Sequence, residues 1–466
     1  MHTSWRDCKE WKDTGLGLST TSNDAAKLYD AVLTQYVSWY DEPSVGGIEE
    51  SCSKMLTSDP KFVMGHVLCN GLDLMGTGRS TQLDQEFAKS LQDMSILAES
   101  SNLTQREIKH VNAVKLWSDG FYADACNTWE DIMVENPLDM LAVKFAHDAY
   151  FYLGYQPQMR DSIARVLPHW KQEMPLYGYL MGMYSFGLCE TNMFAKAEKV
   201  ARKGLDINSR DAWSTHSMAH VLEMTGRHDD GVAFMSSTVN DWSPCGMLAC
   251  HNFWHWAVYH IEKGEPSGAM DIFDSEIGPR CIKSGAMLDI VDASSMLTRL
   301  SFEGVPVGDR WREVYETCKP HQKDHILAFN DAHVLMSCFG ANESKAANEM
   351  LDSLREYASS GCGTNCDVSK EVGLAICEAI AAYNNEEYDK AVDLMINKRY
   401  QIVKIGGSNA QRDVFSQFII HCALKSSKKE HNTLARHLLV ERKANRENSP
   451  LTDRLIARAV ALHNAE

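Results

Sequence analysis

The sequence predicts an all-α fold that is built from repeated pairs of antiparallel helices. Three observations predict it. Apolar residues follow helical spacing through almost the whole chain of 466 residues. A frame of small and turn residues recurs along the chain, as in residues 120–137, GFYADACNTWEDIMVENP. Each recurrence follows a helical stretch that ends near a glycine or an asparagine. The unit is therefore one helix pair followed by a helix breaker.

The first 60 residues precede the repeats and are predicted to form a helical lead-in. Ser22 lies in a cluster of helix-starting residues, and the apolar stretch behind it has helical spacing. Pro43 and the pair Gly46-Gly47 then break this helix.

The repeated units follow in residues 61–425. Their inferred starts lie near residues 62, 106, 140, 178, 212, 250, 372 and 406. Most successive starts are about 34 or about 38 residues apart, which is typical of the tetratricopeptide repeat. Stacked helix pairs of this kind form a right-handed superhelical solenoid with a concave inner wall. The frame is less regular at 280–325 and 340–370, where we expect longer connections, and residues 426–466 are predicted to form capping helices.

Composition limits the classes of function. The net charge of −17 argues against nucleic acid and against an anionic membrane surface, because both need a basic footprint. The amino-terminal residues are polar, no run approaches about 20 apolar residues, and the 14 cysteines are scattered. We therefore expect a cytoplasmic protein with free thiols and with neither nucleic acid nor membrane as a partner.

Several strings of the sequence are more specific than a general repeat consensus. They resemble the tetratricopeptide repeat protein 38 family nearly from end to end. The strings are RDC at 6–8, WKD at 11–13, LSTTSN at 18–23, FVMGH at 62–66, FAHDAYFYLGY at 145–155 and GGSNAQRDVF at 406–415. The resemblance implies an all-helical repeat protein in the cytosol, and it brings no activity, substrate or catalytic residue.

One stretch, AWSTHSMAHVLE at 212–223, carries a stripe of titratable residues. His216, His220 and Glu223 are spaced so that a helix places them on one face, while the opposite face is apolar. In tetratricopeptide units the first helix of each pair faces the inner wall. The repeat frame, which was set by turn and small residues, gives these three residues inward-facing positions.

The same frame predicts further inner-wall residues. In the earlier units and in the unit that starts near 250, the predicted wall consists of His66, Asn70, Asp73, His110, Lys144, Asp148, His251 and Trp254. Where the frame is less certain, the candidates are Asp289, Asp292, Asn330, Asp331, His333, Arg412 and Asp413. Converging polar groups between flat apolar surfaces are typical of a small-molecule pocket.

Three interpretations of the 212–223 stripe remain open. The polar groups either hold neighbouring helices together, line a groove for a peptide or small molecule, or form a metal or catalytic site. Two histidines one turn apart can chelate one ion, and Glu223 can follow them. His251 or His255 would then close the site from the next unit. The string lacks the HExxH order of a metalloprotease, so its general base is missing.

Two functions follow from this sequence. The first is an interaction module that holds a protein, a peptide or a small molecule in its concave groove, without a cofactor. The second is an enzyme or a metal-dependent binder whose divalent metal is held by His216, His220 and Glu223. The fold does not decide between them.

Overall fold

The computed structural model of the protein describes residues 4–463. These residues contain 27 α-helices and no β-strand. They form two compact units. Unit 1 comprises residues 4–217 and 240–249, and unit 2 comprises residues 218–239 and 250–463. The sequence division into a lead-in at 1–60, an array at 61–425 and a cap at 426–466 stays a prediction.

Eleven helices lie in the first part of unit 1: α1 (Cys8–Asp13), α2 (Asn23–Ser38), α3 (Gly47–Ser58), α4 (Val63–Met75), α5 (Gln85–Glu99), α6 (Gln105–Ser118), α7 (Tyr122–Glu135), α8 (Met140–Leu153), α9 (Gln156–Val166), α10 (Tyr177–Glu190) and α11 (Phe194–Ile207). The next four are α12 (Ala212–Met224), α13 (His228–Ser237), α14 (Val239–Trp242) and α15 (Met247–Lys263). The boundaries between the units fall within or beside these helices.

The remaining helices belong to unit 2: α16 (Pro266–Ile272), α17 (Gly278–Ser284), α18 (Met287–Phe302), α19 (Arg310–Cys318), α20 (Ala328–Gly340), α21 (Ser344–Ser360), α22 (Thr364–Val368), α23 (Leu374–Asn384), α24 (Tyr388–Ile396), α25 (Asn409–Lys425), α26 (Lys429–Asn445) and α27 (Pro450–His463).

Helix pairs pack in series within each unit. In unit 1, α6 packs on α7, α8 on α9 and α10 on α11, and adjacent pairs contact through α7 with α8 and α9 with α10. In unit 2, α18 packs on α19, α20 on α21, α23 on α24 and α25 on α26, with α18, α20 and α23 in successive contact. The predicted all-α repeat fold is confirmed, because each pair covers its apolar face with the next pair.

The inferred unit starts agree with the observed helices. Helices α4, α6, α8, α10, α12, α15, α23 and α25 begin at residues 63, 105, 140, 177, 212, 247, 374 and 409. Helix caps are also present, and the one at Ser22 is as predicted. The side chain of Ser22 accepts from Ala25 N at the start of α2, and Ser408 forms a capping box with Gln411 at the start of α25.

The irregular stretches of the repeat lie beside two π-helical turns. The turns are Phe273–Ile277, between α16 and α17, and Ser369–Gly373, between α22 and α23. A π turn accommodates an extra residue within a helix, so it shifts the spacing of the small residues that define the frame. The starts of α15, α18, α20 and α23, at residues 247, 287, 328 and 374, are also farther apart than those of α6, α8, α10 and α12, which agrees with the longer connections expected near 280–325 and 340–370.

Tryptophan side chains pack in the core of unit 1. Trp117 and Trp129 are buried with their ring centroids 6.0 Å apart. Trp213 is also buried and donates its indole N–H to the Val37 carbonyl oxygen at 2.9 Å. All 14 cysteines are free thiols, as expected. Among the described helices, none combines the length and the apolar character that crossing a bilayer requires.

The carboxyl group that caps α12 makes the stability of unit 1 depend on pH. Asp211 accepts hydrogen bonds from Trp213 N at 3.1 Å and Ser214 Oγ at 2.5 Å, and burial raises its pKa to about 6. Because the pKa of Asp211 is higher in the folded protein than in the unfolded chain, folding favours the protonated carboxyl group. The free energy of unfolding therefore falls as the pH rises from the unfolded-state pKa of about 4 to above the folded-state pKa of about 6.

We expect Asp211→Asn to remove this loss, because asparagine is uncharged and is an equally good helix cap. Urea unfolding of both proteins between pH 4 and 8 checks the prediction. Equal pH profiles for the two proteins would contradict it.

Candidate metal centre

Three histidines of unit 2 lie together and are called the histidine cluster here. His220 belongs to α12, and His251 and His255 lie one turn apart on α15. One ring nitrogen from each of the three lies within 4.8 Å of those from the other two. Nε2 of His220 and Nε2 of His255 are 3.2 Å apart. The cluster thus brings together one histidine of the predicted stripe and the two that were expected to close a site.

A buried tyrosine fixes the spacing of the two helices that carry the cluster. Tyr259 lies one turn beyond His255 on α15, and its hydroxyl donates to the Ala219 carbonyl oxygen at 2.7 Å. Its ring also covers Gly231 of α13, where an added Cβ would lie 2.6 Å from the ring. A side chain at Gly231 would therefore push α13 away from α15 and disturb the cluster next to it.

Two buried carboxylates hold the outer nitrogens of the cluster. Glu223 Oε2 accepts from Nδ1 of His255 at 2.9 Å, and Asp292 Oδ2 accepts from Nδ1 of His251 at 2.8 Å. A carboxylate beside Nδ1 places the proton on that nitrogen and leaves the lone pair on Nε2. Metal-binding histidines are oriented in this way by their outer partners.

Burial keeps the two inner histidines neutral. It lowers the pKa of His220 well below the ordinary value, and the nearby His255, His251 and Arg446 lower it further. Burial also lowers the pKa of His255, followed by the charges of His251 and Arg299. Neutral imidazole is the form that binds metals, so His220 and His255 have the required protonation state at pH 7.

The separation of the two Nε2 atoms fits a shared metal ion. Two nitrogens bound to one tetrahedral zinc at about 2.0–2.1 Å lie about 3.3 Å from each other. The observed distance is 3.2 Å. Both nitrogens are also buried, so a bound ion would be shielded from competing water.

Behind Glu223 lies a second group, the arginine cluster, made of Arg299, Arg442 and Arg446 around Asp413. Glu223 Oε1 accepts from Arg446 Nη1 at 3.4 Å. Asp413 accepts from both terminal nitrogens of Arg442 and lies 3.5 Å from Arg299 Nη1. Burial opposes ionisation of Asp413, but the arginines around it hold its pKa well below the usual range. The arginine cluster balances the charge of Glu223.

The other predicted residues of unit 2 have separate partners. Asp289 accepts from the Ser284 hydroxyl at 2.6 Å, and burial raises the pKa of its carboxyl to about 6. Asp331 pairs with Nδ1 of His325 at 3.0 Å. His333 is hydrogen-bonded to the Phe329 carbonyl oxygen, and Arg412 donates to the carbonyl oxygens of Gly406 and Gly407. The ring of Trp254 stacks on that of His251, and Asn330 is buried.

Predicted inner-wall residues of unit 1 mostly bind other residues of unit 1. His110 Nε2 is hydrogen-bonded to Asp139 at 2.9 Å, and Arg106 donates to the same carboxylate at 2.8 Å. The remaining pairings are those of His66 with the Pro60 carbonyl, Asn70 with Ser90, Asp73 with Arg79, and Lys144 and Tyr36 with Asp148. The contacts of Asn70 with Ser90 and of Tyr36 with Asp148 join two helices, the others are local or involve loops, and all of them match the structural interpretation of such groups.

His216, which was predicted as a metal ligand, belongs to unit 1. Its ring lies 4.9 Å from that of Phe186 and 6.2 Å from that of Trp213, measured between centroids. Its role as a ligand stays a prediction. Glu223, predicted in the same set, directs its oxygens to His255 and Arg446 and so supports the histidine cluster from outside.

Fold and site together define the class of protein: an all-α helical repeat protein with a buried histidine cluster backed by carboxylates. No protein-family model matches the chain. Among solved structures, the chain is similar to a monomeric IFIT1 mutant with Gppp-AAAA, with 14% identity, 98% of each chain covered and a TM-score of 0.38. The chain is also similar to a human IFIT1 dimer with m7Gppp-AAAA, with 13% identity and a TM-score of 0.39, and the alignment covers 97% of this chain and 99% of the IFIT1 chain.

These structures correct one expectation from the sequence. The net charge was taken to exclude nucleic acid as a partner, yet the IFIT1 structures are complexes with capped oligonucleotides. The exclusion was wrong, because the total charge of a long chain does not fix the local charge of any one surface. Nucleic acid is therefore no longer excluded, and the similarity carries nothing further about the ligand of this chain.

Proposed function

We propose that the protein binds a divalent transition metal, zinc above all, on the histidine cluster of unit 2. The metal would hold or activate a small molecule. The observation that carries the proposal is the buried pair His220 and His255, whose Nε2 atoms share a hydrogen bond of 3.2 Å, so that an ion replacing the shared proton would reach both nitrogens. Buried carboxylates behind His251 and His255 support it, because they leave the Nε2 lone pairs for the ion.

The chemistry depends on what completes the coordination. A zinc with three histidine ligands and one water is a Lewis acid that lowers the pKa of that water to about 7. A zinc with four protein ligands is structural. His220, His251 and His255 would supply three nitrogens, and Glu223 and Asp292 would keep those rings in place.

Elemental analysis of the purified, untagged protein tests the proposal. We expect close to one equivalent of zinc, iron or manganese per chain, retained on gel filtration. X-ray absorption spectroscopy of the loaded protein then gives the ligands: three imidazoles and one oxygen indicate a catalytic centre, and four protein ligands a structural one. Protein that contains no metal and takes up none from a zinc solution would refute the proposal.

The same proposal includes a family and a location. We propose that the chain belongs to the tetratricopeptide repeat protein 38 family, on the strength of strings such as FAHDAYFYLGY at 145–155. The free thiols support a cytoplasmic location, where cysteines stay reduced. A module that holds a peptide or protein along its inner helices is the second function, and a metal-free protein would favour it.

A further inference from the structure

A second polar site of unit 2 is a pocket of about 240 Å³. It is bounded by the end of α12 at residues 223–226 and by residues 444–449, which join α26 to α27. His228 of α13 and Glu262 of α15 complete its wall. The volume equals that of about eight water molecules in the liquid, which suits a molecule of metabolite size.

The pocket favours positive charge in a ligand. Helices α12 and α26 both end at its wall, and the free carbonyl groups of a helix end carry partial negative charge. The lining residues include three glutamates, Glu223, Glu262 and Glu447, but only one arginine, Arg446. Carboxylates thus outnumber cations within the pocket.

One buried side chain in this wall has polar atoms to spare. His228 is only 5% exposed, and within residues 4–463 its ring forms no hydrogen bond. Its ring lies 6.3 Å from that of Tyr259, measured between centroids. Burial lowers the pKa of His228, so its ring is neutral at pH 7 and can accept a hydrogen bond. A ligand in the pocket would supply the ring with a hydrogen-bond partner.

Glu262 is held in position for a ligand. It accepts from the Ser449 hydroxyl at 2.8 Å through Oε2, and its Oε1 lies 3.6 Å from Arg442 and 3.9 Å from Arg446. These contacts fix the carboxylate without using all of its acceptor positions, since an ionised carboxylate offers about four.

We infer that this pocket binds a small organic ammonium ion, whose N–H groups donate to Glu262 and to the helix-end carbonyls while a second polar group reaches His228. A bare metal ion would leave most of the volume unfilled. An anion would face the carboxylates and both helix ends. The inference is independent of the metal on the histidine cluster, since it uses different residues apart from Glu223.

Isothermal titration calorimetry with 1,4-diaminobutane tests the inference, and 1,4-butanediol is the uncharged probe of the same length. We expect the diamine to bind with a Kd of about 1 mM or tighter and the diol to show no binding. Glu262→Gln removes the charge at the centre of the pocket and should weaken binding at least about tenfold.

A second variant decides the matter if Glu262→Gln does not fold. Ala444 is exposed at the pocket wall, so Ala444→Lys folds and places its own ammonium group there in competition with the probe. It should abolish binding. Glu441→Gln, on the exposed face of the same helix, is the matched control and should bind as the unchanged protein does. Equal binding of diamine and diol, absent diamine binding, or diamine binding unchanged in Ala444→Lys would overturn the inference.

Discussion

Asp413→Ala is expected to lower the free energy of unfolding of the protein by about 3–5 kcal/mol. Asp413 lies on α25 and is buried among three arginines. It accepts hydrogen bonds from Arg442, and its carboxylate oxygens lie 3.5 Å from Nη1 of Arg299 and 3.8 Å from Nη2 of Arg446. Without the carboxylate, the buried guanidinium groups of Arg299 and Arg442 lose a shared partner and lie beside the further positive charge of Arg446. Removing one partner of a buried ion pair is strongly destabilising for this reason.

Guanidinium chloride unfolding followed by circular dichroism measures the effect. The matched control is Asp393→Ala, which removes an exposed carboxylate from its pairs with Lys428 at 2.7 Å and His431 at 3.1 Å. An exposed pair contributes at most about 1 kcal/mol. If Asp413→Ala is no more destabilising than this control, the arginine cluster does not depend on Asp413.

The double variant His220→Ala/His255→Ala is expected to lose the bound metal. Each substitution removes an Nε2 ligand from the histidine cluster, and the remaining His251 cannot chelate an ion alone. A metal present at about 100 times its Kd stabilises the folded state by about 2.7 kcal/mol. A chelator should therefore lower the melting temperature of the unchanged protein and leave that of the double variant as it is.

Two further variants complete this experiment. Glu223→Gln keeps all three histidine ligands and loses the charge behind His255, so metal affinity should fall by about 10–100-fold. His421→Asn is the matched control, because His421 is a buried histidine of unit 2 whose ring stacks on Phe302 at 4.5 Å. It should keep its metal. A chelator effect that persists in the double variant would show that the metal lies elsewhere.

The local part of the fold could be predicted from the sequence. Cap residues such as Ser22 and Ser408 and the glycines between helices indicate where helices begin and end. Their effect on the backbone extends over only a few residues, so it can be predicted from the local sequence. His251 and His255 carry such a local signal, because they lie one turn apart on one helix. The repeat frame failed where the helix starts are farther apart, between residues 247 and 374, because an argument from spacing needs a nearly constant repeat length.

The partners of the site could not be predicted in the same way. Arg446 lies 223 residues from Glu223, and Gln411 lies 119 residues from Asp292, yet each contacts that carboxylate. Such contacts depend on which helices stack, and nothing in the spacing near Glu223 indicates an arginine in a distant loop. For the same reason Glu223 was taken as a metal ligand, although its oxygens already have two other partners.

The enclosure of Lys144 in unit 1 has a practical consequence. Its ammonium group is bonded to Asp148 and lies 4.4 Å from the ring centre of Tyr36, 4.9 Å from that of Trp39 and 4.7 Å from that of Trp213. The side chain is fully buried, so a reagent that acylates amines reaches it only when these helices separate. The rate at which this one lysine is acylated therefore measures how often the core of unit 1 opens in the native protein.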